Sequence, residues 1–154
     1  MTLVLTGTQL MLECENLKRY SEWEHKSTPS YANGPICVMG DAAHASTPWQ
    51  GSGAALAMED AVVLAAVLGQ VESRADVAAA FQGYSQTRMK RAQRVIDSSR
   101  KTGRIMCLQD EARGKTPEEI LEMMKPRWDF IRDIDIGAEC RDAVRAAEQS
   151  KAGV

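Results

Sequence analysis

Residues 40–61 hold the chain's densest set of chemically useful side chains: Gly40-Asp41-Ala42-Ala43-His44, then Pro48-Trp49-Gln50-Gly51-Ser52-Gly53-Ala54, then Glu59-Asp60. Gly40 ends an apolar run and lets a ligand approach the backbone. Asp41 follows at the carboxyl end of that run, where open α/β sheets bind ligands. A carboxylate there can accept hydrogen bonds from sugar or polyol hydroxyls. Gly51-Ser52-Gly53 opens a helix, whose free N–H groups and positive dipole end favour an anionic or electron-rich ligand atom. Ala54, Ala55, Ala57 and Ala61 let that helix lie close to a sheet or a flat ligand. His44 has two readings: a structural hydrogen bond that braces the loop, or general acid–base work, which suits an imidazole titrating near pH ~6.5. Glu59-Asp60 reads as a packing and capping pair rather than a catalytic dyad, because adjacent helical residues diverge in direction.

These residues need elements to position them. Ile36-Cys37-Val38-Met39, bounded by Gly34-Pro35 and Gly40, predicts a strand buried on both faces, as in a parallel sheet. Gly40 to Gly53 predicts a long loop. Ser52 to Leu68 predicts a helix, since ten of its seventeen residues are Ala, Leu or Met, and Gly69 suits its C-terminus. A second helix is expected from Ser73 to Arg104, capped by Ser73 or Asp76. Val77, Phe81, Tyr84, Arg88, Arg91, Val95 and Ser98 share one face of it. The run Arg88, Lys90, Arg91, Arg94, Arg100, Lys101, Arg104 reads as a solvated basic face. Thr116-Pro117-Glu118-Glu119 combines a cap, a first-turn proline and acids against the dipole; that helix should stop near Pro126. Residues 137–149 suggest a last helix and 150–154 a frayed end. Residues 2–12 read as strand or helix start, and 13–24 as polar and helical. Trp23 and Trp128 are expected as core anchors, and Met89, Met106, Met123 and Met124 as gap-fillers.

Composition narrows the classes. The chain has 154 residues, 44% hydrophobic and 26% charged, with a net charge of -2. That balance gives no electrostatic reason to expect nucleic acid or an anionic membrane as partner. The longest apolar run, Ala61 to Leu68, is too short for a bilayer span, and the first residues lack a basic secretory n-region. A cytoplasmic protein is the expectation. Cys14, Cys37, Cys107 and Cys140 form no C-x-x-C pair, so reduced thiols are expected rather than a disulfide framework. His25 and His44 have no Cys or His at ligand spacing, and no metal site is expected.

The segment resembles the flavin-binding GD motif of single-component FAD-dependent aromatic hydroxylases, the salicylate-hydroxylase-like enzymes in particular. Gly40-Asp41-Ala42-Ala43-His44, Pro48, Gly51-x-Gly53 and Glu59-Asp60 carry the resemblance, which extends from about residue 20 to 148. It implies a mainly α chain with one or two short strands, the C-terminal segment of the FAD/NAD(P)-binding Rossmann-type flavoprotein hydroxylase fold. It also implies one partial domain over 1–154: a lead-in at 1–34, then strand, GD loop and helix at 35–69, a long helix at 73–104 and C-terminal helices at 116–149. By resemblance Gly40 and Asp41 would contact the ribityl arm of FAD, and Pro48 would lie beside the reactive edge of the isoalloxazine. The amides of Gly51, Ser52, Gly53 and Ala54 would face its N1/O2 side, and Trp49 the flavin or substrate side. NAD(P)H would reduce the flavin, and O2 would then serve to hydroxylate a small aromatic or polyketide-like substrate.

The family's G-x-G-x-x-G unit, which holds the FAD pyrophosphate, is not in these 154 residues. Three expectations follow. The chain is completed by a dinucleotide-binding N-terminal half or by self-association as a homo-oligomer. Or it is a cofactor-free isomerase, dehydratase or cyclase using His44, Asp41 or His25. Or it is a non-catalytic interaction subunit, because a half-domain exposes apolar surface that needs a cover.

Overall fold

The computed structural model describes residues 9, 12–16, 18 and 20–152. The expectation for residues 2–12 falls largely outside them. Residues 20–28 carry no regular element, so the helix expected over 13–24 is not present in that part. The chain then forms a hairpin of β1 (Ala32–Asn33) and β2 (Ile36–Cys37), paired antiparallel, with Ala32 opposite Cys37. Gly34, at φ 57, makes the turn between them.

The doubly buried parallel strand expected at Ile36–Met39 is therefore corrected. Among the described residues the sheet has two strands only. Nothing among them covers the far side of the run, and Ile36 is 69% exposed, with Val38 and Met39 also exposed. Trp23, expected in the core, is exposed as well.

Six helices follow: α1 (Asp41–His44), α2 (Gly53–Leu68), α3 (Val77–Met106), α4 (Pro117–Met124), α5 (Asp129–Arg132) and α6 (Ile136–Ala152). A 3-10 turn at Pro48–Gln50 breaks the expected long loop. A carboxylate oxygen of Asp76 accepts from the Ser73 N–H and hydroxyl ahead of α3. Thr116 and Glu119 form a reciprocal capping box at α4. The end expected to fray is helical through Ala152.

The core gathers Tyr31, Ala43, Val63, Val67, Ala80, Tyr84, Ala92 and Ala143 from the hairpin and from α1, α2, α3 and α6. The α3–α6 crossing is close: a Cβ placed on Gly83 would lie 2.3 Å from the Ala143 carbonyl oxygen. Only glycine fits there. In α2, Leu56, Asp60, Val63 and Val67 face the core at helical spacing. The opposite side carries exposed Ala54, Ala55, Met58, Ala61, Val62, Ala65 and Leu68. A helix apolar all round is built to be covered on both sides, and here only one side is covered.

Candidate functional site

The Gly40-Asp41 turn is held from below by α2. Gly40 has φ 58, a region that strongly favours glycine. Its carbonyl accepts from the Ala43 and His44 amides, which starts α1, and its own N–H donates to Asp60 Oδ2 at 2.9 Å. His44 Nε2 lies 2.5 Å from the same oxygen. Arg88 Nε donates to the other oxygen, Oδ1, at 2.8 Å. Asp60, His44 and Arg88 are all buried. Asp41 is exposed, so the network fixes the turn and leaves the carboxylate in solvent.

The network reaches further. Arg88 also donates to Glu59 at 2.8 Å, to Glu139 of α6 at 3.2 Å and to the Leu56 carbonyl. Arg91 holds Glu59 by two bonds and donates to the Phe130 and Ile131 carbonyls. Burial by itself would raise the Asp60 and Glu59 pKa values. For Asp60 the bonds from His44, Arg88 and the Gly40 amide outweigh it, and for Glu59 the bonds from Arg91 and Arg88 do, so both carboxyls sit below their usual range. Tyr31, tilted against the His44 ring at 5.8 Å, is pushed up to about 12 by burial and by the Asp60 charge.

This corrects the reading of Arg88 and Arg91 as members of a solvated basic face. Their side chains are 0% and 9% exposed. The signal was in the sequence: Arg88 sits on the same three-and-four-residue stripe as Tyr84 and Val95, both buried. Glu59 and Asp60 both hold Arg88, and their remaining bonds diverge, Glu59 to Arg91 and Asp60 to Gly40 and His44.

The second half of the loop is pinned by α3. Ser99 Oγ donates to the Thr47 carbonyl at 2.6 Å. Gln50 Nε2 donates to Ser98 Oγ and to the Arg127 carbonyl. Trp128 Nε1 donates to the Gln50 carbonyl, and Arg127 Nε to Thr102 Oγ1. Trp128 is half-buried and closes over the turn. Trp49, expected on the flavin or substrate side, lays its indole edge on Gly103, so that edge is committed to α3. Sequence reasoning placed Ser98 on the shared face of the long helix but gave no role to it or to Gln50, Ser99 and Thr102. Small polar residues on one face of a long helix, opposite a proline turn, were the available signal.

Pro48 and Gly51 are exposed, Ser52 is buried and Gly53 half-buried. Gly51, at φ 63, ends the 3-10 turn in the left-handed region. Ser52 Oγ donates back to the Gln50 carbonyl, and no side chain caps α2. The first-turn amides at Ser52–Ala55 therefore lack helical acceptors. A Cβ at Gly53 would have only Ser46 Oγ nearby, at 4.0 Å. Asp41 offers an exposed carboxylate, and the start of α2 offers uncapped amides with open space at Gly53; a group bearing hydroxyls and an electron-rich ring edge suits both. That donor set fits FAD.

Among the described residues no cluster of His, Cys, Asp and Glu could hold a metal ion, and no helix is long and apolar enough to cross a membrane.

Comparison with known proteins gives a consistent answer. The family model described as an FAD binding domain matches residues 6–99. A 6-methylsalicylate 1-monooxygenase of Aspergillus terreus is 36% identical over 131 residues, which is 83% of this chain and 29% of that protein. A salicylate hydroxylase of Pseudomonas putida is 34% identical over 116 residues, 75% of this chain and 27% of that protein. Among solved structures, a salicylate hydroxylase substrate complex superposes with a TM-score of 0.71 at 33% identity, over 77% of this chain and 29% of that one. The chain thus spans under a third of the length of these relatives.

Proposed function

The chain belongs to the FAD-binding-domain family, and from that premise we propose that it forms the ribityl and isoalloxazine side of an FAD-dependent monooxygenase site. The observation that carries this reading is the exposed Asp41 carboxylate on a turn that Asp60 of α2 holds, in a chain whose α2 starts without a side-chain cap. FAD, when bound, would supply the redox chemistry of a monooxygenase, with NAD(P)H and O2 as cosubstrates and a small aromatic or polyketide-like ring as substrate. The chain's own residues bind and orient. Asp41 would accept hydrogen bonds from the ribityl hydroxyls. Pro48 would line the ring edge, and the amides of Gly51 to Ala54 would stabilise negative charge at the ring's N1/O2 side. His44 is buried and already bonded to Asp60, which favours a bracing role over proton transfer with substrate. For that reason the cofactor-free isomerase, dehydratase or cyclase reading finds no support at His44.

The uncovered apolar side of α2 and the exposed Ile36, Val38 and Met39 support completion by a dinucleotide-binding half. Exposed apolar surface of this kind is a place for a partner to cover. The partner half would supply the pyrophosphate site and the substrate-side sheet.

Titration of the purified chain with FAD and riboflavin, followed by flavin fluorescence, tests the reading. Saturable quenching that Asp41→Ala abolishes is the expected result. Failure of the parent chain to bind either ligand, alone and with a co-expressed dinucleotide-binding half, overturns it.

A further inference from the structure

We propose that Asp60 is the positioning residue for the Asp41 carboxylate, with His44 serving as its hydrogen-bond donor and not as a proton shuttle. The proposal rests on the flavin reading above and extends it to a buried residue that no ligand would touch. The helix that carries Asp41 at its first position is only four residues long. A helix of that length has no stability of its own in water, so its direction must be set from outside. Asp60 Oδ2 sets it at both ends, through the Gly40 amide at 2.9 Å and His44 Nε2 at 2.5 Å. Oδ1 is taken by Arg88 Nε at 2.8 Å. One fully buried carboxylate thus brackets the turn and ties it to α3. Arg88, through Glu139, ties it on to α6. A change in where α3 and α6 lie is transmitted to Asp41 by this route, because the turn itself has no other anchor of comparable geometry on α2. His44 Nε2 faces Asp60, so the tautomer that donates from Nε2 is the one the bond requires.

The test compares the parent chain with Asp60→Asn, His44→Gln and His44→Ala. Glutamine places an N–H donor where the imidazole Nε2 lies and carries no titratable proton. Riboflavin and FAD affinities are measured by fluorescence, far-UV circular dichroism reports folding, and the Gly40 and His44 amide exchange rates report the turn. Asp60→Asn is expected to weaken both ligands at least about ten-fold, as loss of a ligand's orienting partner does elsewhere, with unchanged circular dichroism and faster Gly40 exchange. His44→Gln should bind flavin like the parent, and His44→Ala should not. Parent-like affinity and exchange in Asp60→Asn overturn the proposal, as does His44→Gln behaving like His44→Ala. If the parent binds no flavin, the functional reading fails by itself, and positioning is then decided by the exchange rates: slow in the parent and His44→Gln and fast in His44→Ala supports it, equal rates in all three sink it. The two His44 variants also decide it should Asp60→Asn not fold.

Discussion

The indole of Trp49 occupies the space that a side chain at position 103 would need: a Cβ on Gly103 would lie 2.4 Å from Trp49 Nε1. Gly103 lies in the last turn of α3, and a helical glycine is otherwise unfavourable by up to roughly 1 kcal/mol relative to alanine. Here the missing Cβ admits the ring that fastens the Pro48–Gln50 turn to α3. Gly103→Ala is expected to destabilise by about 1–3 kcal/mol despite the better helix former, since overpacking outweighs propensity. Trp49 fluorescence should shift together with the urea midpoint. A midpoint equal to or above the parent's would contradict the packing described.

Gly83 presents the same geometry against a harder neighbour. Its Cβ would meet the Ala143 carbonyl at 2.3 Å and the Ala147 amide at 2.7 Å. Both are backbone atoms of α6, and they can move only with the whole helix. Gly83→Ala should therefore cost more than Gly103→Ala, where the obstacle is a side chain. By contrast Gly69 has φ -64, and its Cβ would make contacts of 3.4 Å or more. Gly69→Ala should stay within about 0.5 kcal/mol of the parent. Chemical denaturation of the three variants checks the order.

How far the sequence foretold these contacts differs by element. The Ala, Leu and Met run at 54–68 predicts α2 because backbone preference is local and summed over many residues. The Thr116-Pro117-Glu118-Glu119 start is visible for the same reason. Arg88 was misread because its partners lie far off in sequence: Asp60 is 28 residues away and Glu139 is 51. Charge suggested solvent, whereas periodicity, which placed Arg88 with Tyr84 and Val95, was the better guide. Ile36–Met39 reads as doubly buried because its composition suits a sheet interior, yet burial depends on neighbours that the described residues do not provide. Within the site, glycines and Asp41 announce themselves by spacing. The serines and threonine that pin Pro48–Gln50 do not, because Ser98, Ser99 and Thr102 look like any polar helix face until the turn is laid against them.

The buried charge cluster predicts how stability changes with acid. Asp60 and Glu59 are held below their usual range in the folded chain. Depressed carboxyl pKa values contribute stability that is fully present above the unfolded values, roughly pH 4, and is lost as pH falls through the folded values. The melting temperature should stay flat with respect to these two groups from neutrality down to about pH 5 and drop below about pH 4. Removing the cation at the centre should be severe: Arg88→Ala leaves Asp60 buried without its guanidinium partner and is expected to cost about 3–5 kcal/mol. Asp60→Asn in the Arg88→Ala background should recover part of that loss, because it removes the unpaired charge. A double-mutant cycle by urea denaturation measures both terms, and strict additivity would show that the two side chains do not interact.

Leu56 and Met58 lie two residues apart on α2 and face opposite ways, 1% and 70% exposed. If the outer side of α2 awaits a cover, the two positions must fail in different assays. Leu56→Ala removes a packed side chain and leaves a cavity, for an expected loss of about 2–5 kcal/mol. Met58→Lys adds charge to a surface already in solvent, and the chain's own stability should move by no more than about 0.5 kcal/mol. The same lysine would sit within the apolar strip formed by Ala54, Ala61, Val62 and Ala65. Seating a partner there would desolvate an unpaired ammonium, which costs several kcal/mol. Met58→Lys should therefore melt like the parent yet lose self-association or pairing with a co-expressed dinucleotide-binding half, read by size-exclusion chromatography with light scattering. Loss of stability without loss of association would mean that this side of α2 is packed within the chain, and the case for an external cover would end there.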